Sequence, residues 1–176
     1  MKVKKHIISV LVENHFGVLA RVSGMFSARG FNITSLCVGE TDDPSISRMT
    51  VVVGGDDRVL HQIIQQLNKL VDVIDVRDLT NETFVERELI IVRVQANRKN
   101  RSEVVEMANI FRAKVVDVGE DTLTVEATGA QGKIQAFIDM MRTFGILELV
   151  RTGEIAIPRA TGAVNDAEDG QEVQVS

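Results

Sequence analysis

The sequence predicts an α+β fold of two tandem ferredoxin-like βαββαβ units. Three observations carry that expectation: strand-like and helix-like periodicities alternate, the same order of elements returns after residue 80, and 44% of the 176 residues are hydrophobic. In the first unit, strand-like runs fall at 6–13, 32–40, 46–54 and 71–79, with helical patterns at 17–29 and 58–70. The first helix places Val18, Leu19, Val22, Met25 and Phe26 on one stripe, and Gly30 suits its C-terminal stop. The second places Val59, Leu60, Ile63, Ile64, Leu67 and Leu70 on a stripe, with Asp56 or Asp57 as its N-cap. The polar run 41–45 links two strands as a turn.

After a polar joint at 80–83 the order repeats. A strand at 87–96 leads to a helix at 102–112, a hairpin at 114–128 turning at 119–121, a helix at 132–144 started by a Thr128 cap, and a strand at 146–157. The expected units are 6–80 and 86–158, each about 75 residues, a usual size for this split-βαβ motif. Residues 159–176, small, acidic and aperiodic, are expected to form a disordered acidic tail. The duplication is one of topology rather than of sequence. Strand 6–13 carries apolar residues on both faces (Ile7, Ile8, Val10, Leu11, Val12). Its outer face is therefore expected to pack on the other unit or on a second copy, which makes a homo-oligomer the expected state.

Bulk properties narrow the function classes. A formal charge of −5 opposes a general role on nucleic acid or anionic membranes, and with only 4% aromatic residues, all phenylalanine, base stacking is not expected. Cys37 is the single cysteine and sits in an apolar strand pattern, which fits a buried thiol in a reducing, cytoplasmic setting. The basic start followed by an apolar run is cut by Glu13 and Asn14, unlike a secretory leader. No stretch reaches the ~20 apolar residues of a membrane span.

Candidate chemistry is sparse. Gly129–Lys133 lacks the further glycine and the hydroxyl of a phosphate loop, so it reads as a helix start. Arg98, Lys99 and Arg101 form a basic cluster, read as a solvated loop with an acidic partner surface as the alternative. His6, His15 and His61 share no metal-ligand spacing, so no metal site is expected. The carboxylate pairs Asp42 and Asp43, Asp56 and Asp57, and Glu120 and Asp121 all fall in turns or caps, and no catalytic residue is expected.

What remains is the segment 9–36, read as strand, tight turn, helix, tight turn, strand. Its helix begins at Gly17 or Val18 and presents unpaired backbone N–H groups, a positive end suited to a carboxylate. Gly17 admits a ligand close to that backbone. Asn14 and Asn32, at the two corners, offer a carbonyl to an ammonium and an amide to a carboxylate. The plain alternative is that Asn14 caps or holds a turn, Gly17 relieves strain and Asn32 follows a helix-stop glycine. The second unit has no such glycine or asparagine at its matching corners, which favours specialisation of the first for a small zwitterion.

Five stretches, 13–36 (ENHFGVLARVSGMFSARGFNITSL), 41–50 (TDDPSISRMT), 66–73, 85–94 and 110–118, together resemble the small regulatory subunits of acetolactate (acetohydroxyacid) synthase, whose N-terminal half is an ACT domain. The resemblance implies a non-catalytic protein that dimerises through its ACT domains and joins a separate catalytic large subunit. It also implies activation of that subunit and feedback inhibition by valine or another branched-chain amino acid. Thiamine diphosphate, Mg²⁺ and FAD are then expected in the catalytic partner, with no cofactor in this chain. Carried over by position, the effector site uses Asn14, Gly17, Val18 and Leu19 of one copy with Asn32 and Ile33 of the other. His15 and Phe16 depart from the family's usual polar-then-small pair, and Phe16 narrows the pocket. Two other classes stay open: a stand-alone tandem ACT sensor, and a small ferredoxin-fold enzyme of the acylphosphatase kind that would aim Arg21 and Asn14 at a phosphate.

Overall fold

Alternation of side chains along an extended chain decides the first layer. In the computed structural model, which describes residues 4–160, strand β1 (Lys4–Glu13) turns Ile8, Val10 and Val12 to one face, where all three are buried. There follow α1 (Val18–Ala28), β2 (Ile33–Glu40), β3 (Ile46–Gly55), α2 (Asp57–Leu67) and β4 (Val73–Asp78). The second unit comprises β5 (Phe84–Gln95), α3 (Arg101–Ile110), β6 (Lys114–Val118), β7 (Thr122–Gly129), α4 (Gln131–Arg142), β8 (Ile146–Arg151) and β9 (Ile155–Pro158). The sheets run β2-β3-β1-β4 and β6-β7-β5-β8, with every pairing antiparallel. Two different sequences thus build one topology twice.

Each sheet buries its inner face under its own two helices. Val18, Val22, Met25 and Phe26 of α1 and Leu60, Ile63 and Leu67 of α2 close on Met49, Val51 and Val53 of β3. In the second unit Ile134, Phe137, Ile138 and Met141 of α4, with Val104 and Ala108 of α3, close on Ile90, Val92 and Val94. Asp56 is the α2 cap, its carboxylate accepting from the N–H groups of Arg58 and Val59 at 3.0 and 2.9 Å. Thr128 does not cap α4. That helix starts one residue past Ala130, and Glu86 of β5 accepts from the Gln131 N–H at 3.0 Å.

The expected strand 146–157 is interrupted. Ile90 pairs with Arg151 but Arg87 pairs with Ile155, so one extra residue is accommodated at Thr152–Glu154. This is a β-bulge, with Gly153 at φ 83° and the Thr152 hydroxyl accepting from the Leu89 N–H at 3.1 Å. The bulge sends β9 away from its own sheet and across the outer face of the first. There Ala156 meets Ile7, Val52, Leu79 and Phe84 in a third core cluster.

Ile7's apolar outer face is therefore covered by this chain's own second unit. At the same junction the Lys5 ammonium lies 2.6 Å from Oε2 of the buried Glu154. Glu88, also buried, takes a two-pronged bond from Arg151 at 2.7 Å on each prong. Cys37 is only half-buried; β2 is a sheet edge, and its thiol lines a groove of about 430 Å³ between that edge and the β5–β9 arm. No helix among the described residues is long and apolar enough to cross a membrane. Residues 161–176, most of the expected tail, lie outside the described residues.

Candidate functional site

Helix α1 begins with Gly17 as its N-cap at φ 89°, a conformation glycine adopts at little cost. No side chain caps it, and its first turn holds no acidic residue. The Val18 N–H reaches His15 O at a long 3.4 Å and the Arg21 N–H reaches Gly17 O, so the N–H groups of Leu19 and Ala20 have no partner among the described residues. By contrast, carboxylates of Asp56 and Glu86 occupy the starts of α2 and α4. The α1 end is thus an open, positive backbone site.

Asn14 closes one side of this corner. Its amide nitrogen donates to Glu40 Oε1 at 3.1 Å and to Pro44 O at 2.9 Å, and its backbone N–H donates to Ser45 O at 2.7 Å. Both amide donors are spent on the β2–β3 turn, which leaves the side-chain carbonyl as the group Asn14 can offer to a ligand. Leu19 is exposed and can make apolar contact. Val18 is 3% exposed and packs in the core, so it contributes backbone only. Phe16 is fully exposed at the tip of the turn, so within one chain it does not narrow the corner as expected.

The matching corner of the second unit is filled. Ala96 stands where Asn14 does, its N–H donating to Asp121 O at 2.8 Å. The Arg101 guanidinium folds back from the start of α3 onto the carbonyls of Ala96, Gly119 and Glu120. The basic cluster is therefore only partly a solvated loop, since Arg101 is a structural plug.

Gly30 does not distinguish the first unit, because Arg112 takes the same left-handed turn after α3.

Beside the open corner lies a network that spans three elements. His15 Nε2 is 3.1 Å from Glu13 Oε2 and 3.2 Å from Asp72 Oδ1, and its Nδ1 is 3.1 Å from Phe16 O. Asp72, 4% exposed, also takes the Arg21 guanidinium on both oxygens, at 2.6 and 3.1 Å. The Phe16 carbonyl, and after it the Glu13 and Asp72 carboxylates, raise the His15 pKa above its usual value.

Glu13, His15 and Asp72 bring donor atoms within 4.8 Å of one another. Arg21 already occupies both Asp72 oxygens, so the group is an ion-pair network rather than a cation cage. That bond engages the Arg21 guanidinium, and the Asn14 amide is engaged by Glu40 and Pro44, so the pair that an acylphosphatase-like enzyme would aim at a phosphate is committed elsewhere. Local sequence could not show this network, because Asp72 arrives through strand register: the Glu13 N–H bonds to Asp72 O at 2.9 Å.

Asn32 and Ile33 do not join the corner within one chain. Ile33 pairs with Val53, which pairs with His6, whereas Glu13 pairs with Ile46 at the other end of the sheet. The two groups are separated by roughly 23 Å of extended strand at ~3.3 Å per residue. Asn32 is exposed, and Ile33 is half-buried against the first core.

Comparison with known proteins places the chain. Residues 8–75 match the family model described as an AHAS small subunit-like ACT domain, and residues 87–160 match that of the small subunit of acetolactate synthase. A probable acetolactate synthase small subunit of Archaeoglobus fulgidus is 56% identical over 155 residues, covering 88% of this chain and 97% of that protein. An acetolactate synthase small subunit of Mycobacterium bovis is 47% identical, covering 95% of this chain and 99% of that protein. The crystal structure of the acetolactate synthase small subunit from Thermotoga maritima superposes with a TM-score of 0.82 at 38% identity, covering 89% of this chain and 98% of that one. With both units matched and relatives aligned over nearly their whole length, the chain belongs to the acetolactate synthase small-subunit family.

Proposed function

We propose that this chain is the regulatory, non-catalytic partner of a catalytic acetolactate synthase large subunit in the cytoplasm, raising its activity and conferring feedback inhibition by valine or another branched-chain amino acid. Thiamine diphosphate, Mg²⁺ and FAD belong in this reading to the large subunit. The effector site is built from Asn14, Gly17, Val18 and Leu19 of one copy and Asn32 and Ile33 of a second copy in a homodimer formed by the ACT units.

The observation that carries the reading is the uncapped start of α1 beside the Asn14 carbonyl. It offers donors to a carboxylate and an acceptor to an ammonium, the two ends of an amino acid. That Asn32 and Ile33 lie at the far end of the same sheet supports a site completed by another copy. A bound amino acid then biases the relative orientation of two ACT units, and the large subunit senses that orientation; such coupling is typically ~1–3 kcal/mol.

Reconstitution with the large subunit tests this directly. Acetolactate formation should rise when the chain is added and fall again with valine, leucine or isoleucine. Unchanged activity on addition, with amino-acid binding retained, would instead make the chain a free-standing sensor.

A further inference from the structure

Both ring nitrogens of His15 have protein oxygen atoms within hydrogen-bond distance, on a side chain that is 47% exposed. Nδ1 faces the Phe16 carbonyl at 3.1 Å, and Nε2 faces Glu13 Oε2 at 3.1 Å and Asp72 Oδ1 at 3.2 Å. Neutral imidazole has one N–H, so it satisfies one side and sets a lone pair against oxygen on the other; only the imidazolium donates to both. The ring therefore lies between the end of β1, the β1–α1 turn and the segment entering β4, and it donates from both nitrogens at once only as the imidazolium.

The charge balance of this cluster bears on the neighbouring corner. Glu13 and Asp72 are negative, and Arg21, half-exposed on the first turn of α1, is positive. With His15 protonated the four groups sum to zero. With His15 neutral they leave one negative charge beside the helix end that is open to an anion. Loss of the proton thus opposes a carboxylate twice: it withdraws a nearby cation, and it breaks one of the two links by which the ring ties the turn leading to Gly17 to the carboxylates of Glu13 and Asp72.

We propose that His15 is a positioning residue for the effector site and makes capture of a carboxylate ligand proton-linked, so that an amino acid binds more tightly to the His15-protonated chain and binding draws in a proton. This rests on the effector site proposed above. By linkage, affinity is highest while His15 is protonated and declines as pH rises through its pKa.

Calorimetric titration of the full chain with valine, from about pH 6 to about pH 8.5, spans the histidine range. Affinity should fall about five- to tenfold across it, since a pKa displacement of one unit on binding corresponds to a tenfold change. Paired buffers of different ionisation enthalpy should reveal net proton uptake. The His15→Gln chain should bind with wild-type high-pH affinity at every pH and take up no proton.

Independently of any ligand, the backbone amide signals of Phe16 and Gly17 should titrate by NMR with the midpoint of the His15 ring. Amide signals that ignore the ring would overturn the positioning role, and a His15→Gln chain that kept the wild-type pH slope would overturn the linkage. If valine, leucine and isoleucine fail to bind at every pH, the effector reading falls and takes the linkage with it. The amide titration still decides the positioning role.

Discussion

Arg112 stands at φ 52° after α3 where Gly30 stands at φ 68° after α1, and each closes the same pair of backbone bonds. Gly30 N–H reaches Ser27 O and Phe31 N–H reaches Phe26 O; Arg112 N–H reaches Asn109 O and Ala113 N–H reaches Ala108 O. These are Schellman endings, and in the first the Phe26 and Phe31 rings meet edge to face at 6.4 Å. A left-handed arginine costs about 1 kcal/mol. Arg112→Gly should therefore raise stability by about 0.5 kcal/mol once the looser unfolded chain offsets part of the relief, and Gly30→Ala should lower it by about 1 kcal/mol. Thermal denaturation at fixed protein concentration checks both signs.

Gly17→Asp should separate activation from inhibition. A Cβ at Gly17 meets no atom within 4 Å, so the strain comes from φ 89° and the substitution is sterically tolerable. Its carboxylate would sit at the open start of α1, where the effector carboxylate binds in our reading. The reconstituted enzyme should still be activated and should ignore valine; valine inhibition equal to wild type would remove Gly17 from the site.

Asn32→Ala should weaken valine binding about ten- to a hundredfold, as expected for loss of a hydrogen bond to a charged group worth ~1.5–3 kcal/mol. Asn32 is exposed and outside the core clusters, so the fold should persist. Calorimetry measures the affinity and circular dichroism the fold. An unchanged affinity would detach the second corner from the pocket.

Gly153→Ala should be costly although a single methyl is added. The residue combines φ 83° with a Cβ position 2.6 Å from Ser35 Oγ, the atom that accepts from the Glu154 N–H. Strain and the displaced bond together predict a loss of about 2 kcal/mol in chemical denaturation. The weakened element should be the β9 arm across the first sheet, read as faster amide exchange at Ala156.

Lys5→Met should destabilise the same junction. It leaves the Glu154 carboxylate, with a side chain 7% exposed, without its ammonium, while the Lys5 side chain is itself 33% exposed. Partial solvation of the lysine keeps the cost to about 1–2 kcal/mol, below the ~3–5 of a fully buried pair. Adding Glu154→Gln to Lys5→Met should recover part of that loss.

The α1 stripe, the Asp56 cap and the hairpin turn at 119–121 were readable because each depends on residues within one or two turns of one another. So was the uncapped start of α1 at Gly17, which is set by the backbone of a single turn. The Thr128 cap failed because the atom that reaches the start of α4 belongs to Glu86, delivered by a neighbouring strand. The single strand 146–157 failed because periodicity cannot register one inserted residue whose pairing partner lies in β5. The plain half-buried position of Cys37 follows from β2 being an edge, which is a property of the sheet and not of the strand.

The amino-acid order alone determined the two βαββαβ units, the faces their helices bury and the polarity of the α1 start, because hydrophobic period and backbone end-effects are local. Only the tertiary structure decided that Arg101 fills the second corner, that β9 covers the first sheet and that Asp72 meets His15 and Arg21 beside the open start of α1. Those contacts join residues far apart in the chain, and strand register, set by the packing of the whole sheet, is what brings them together.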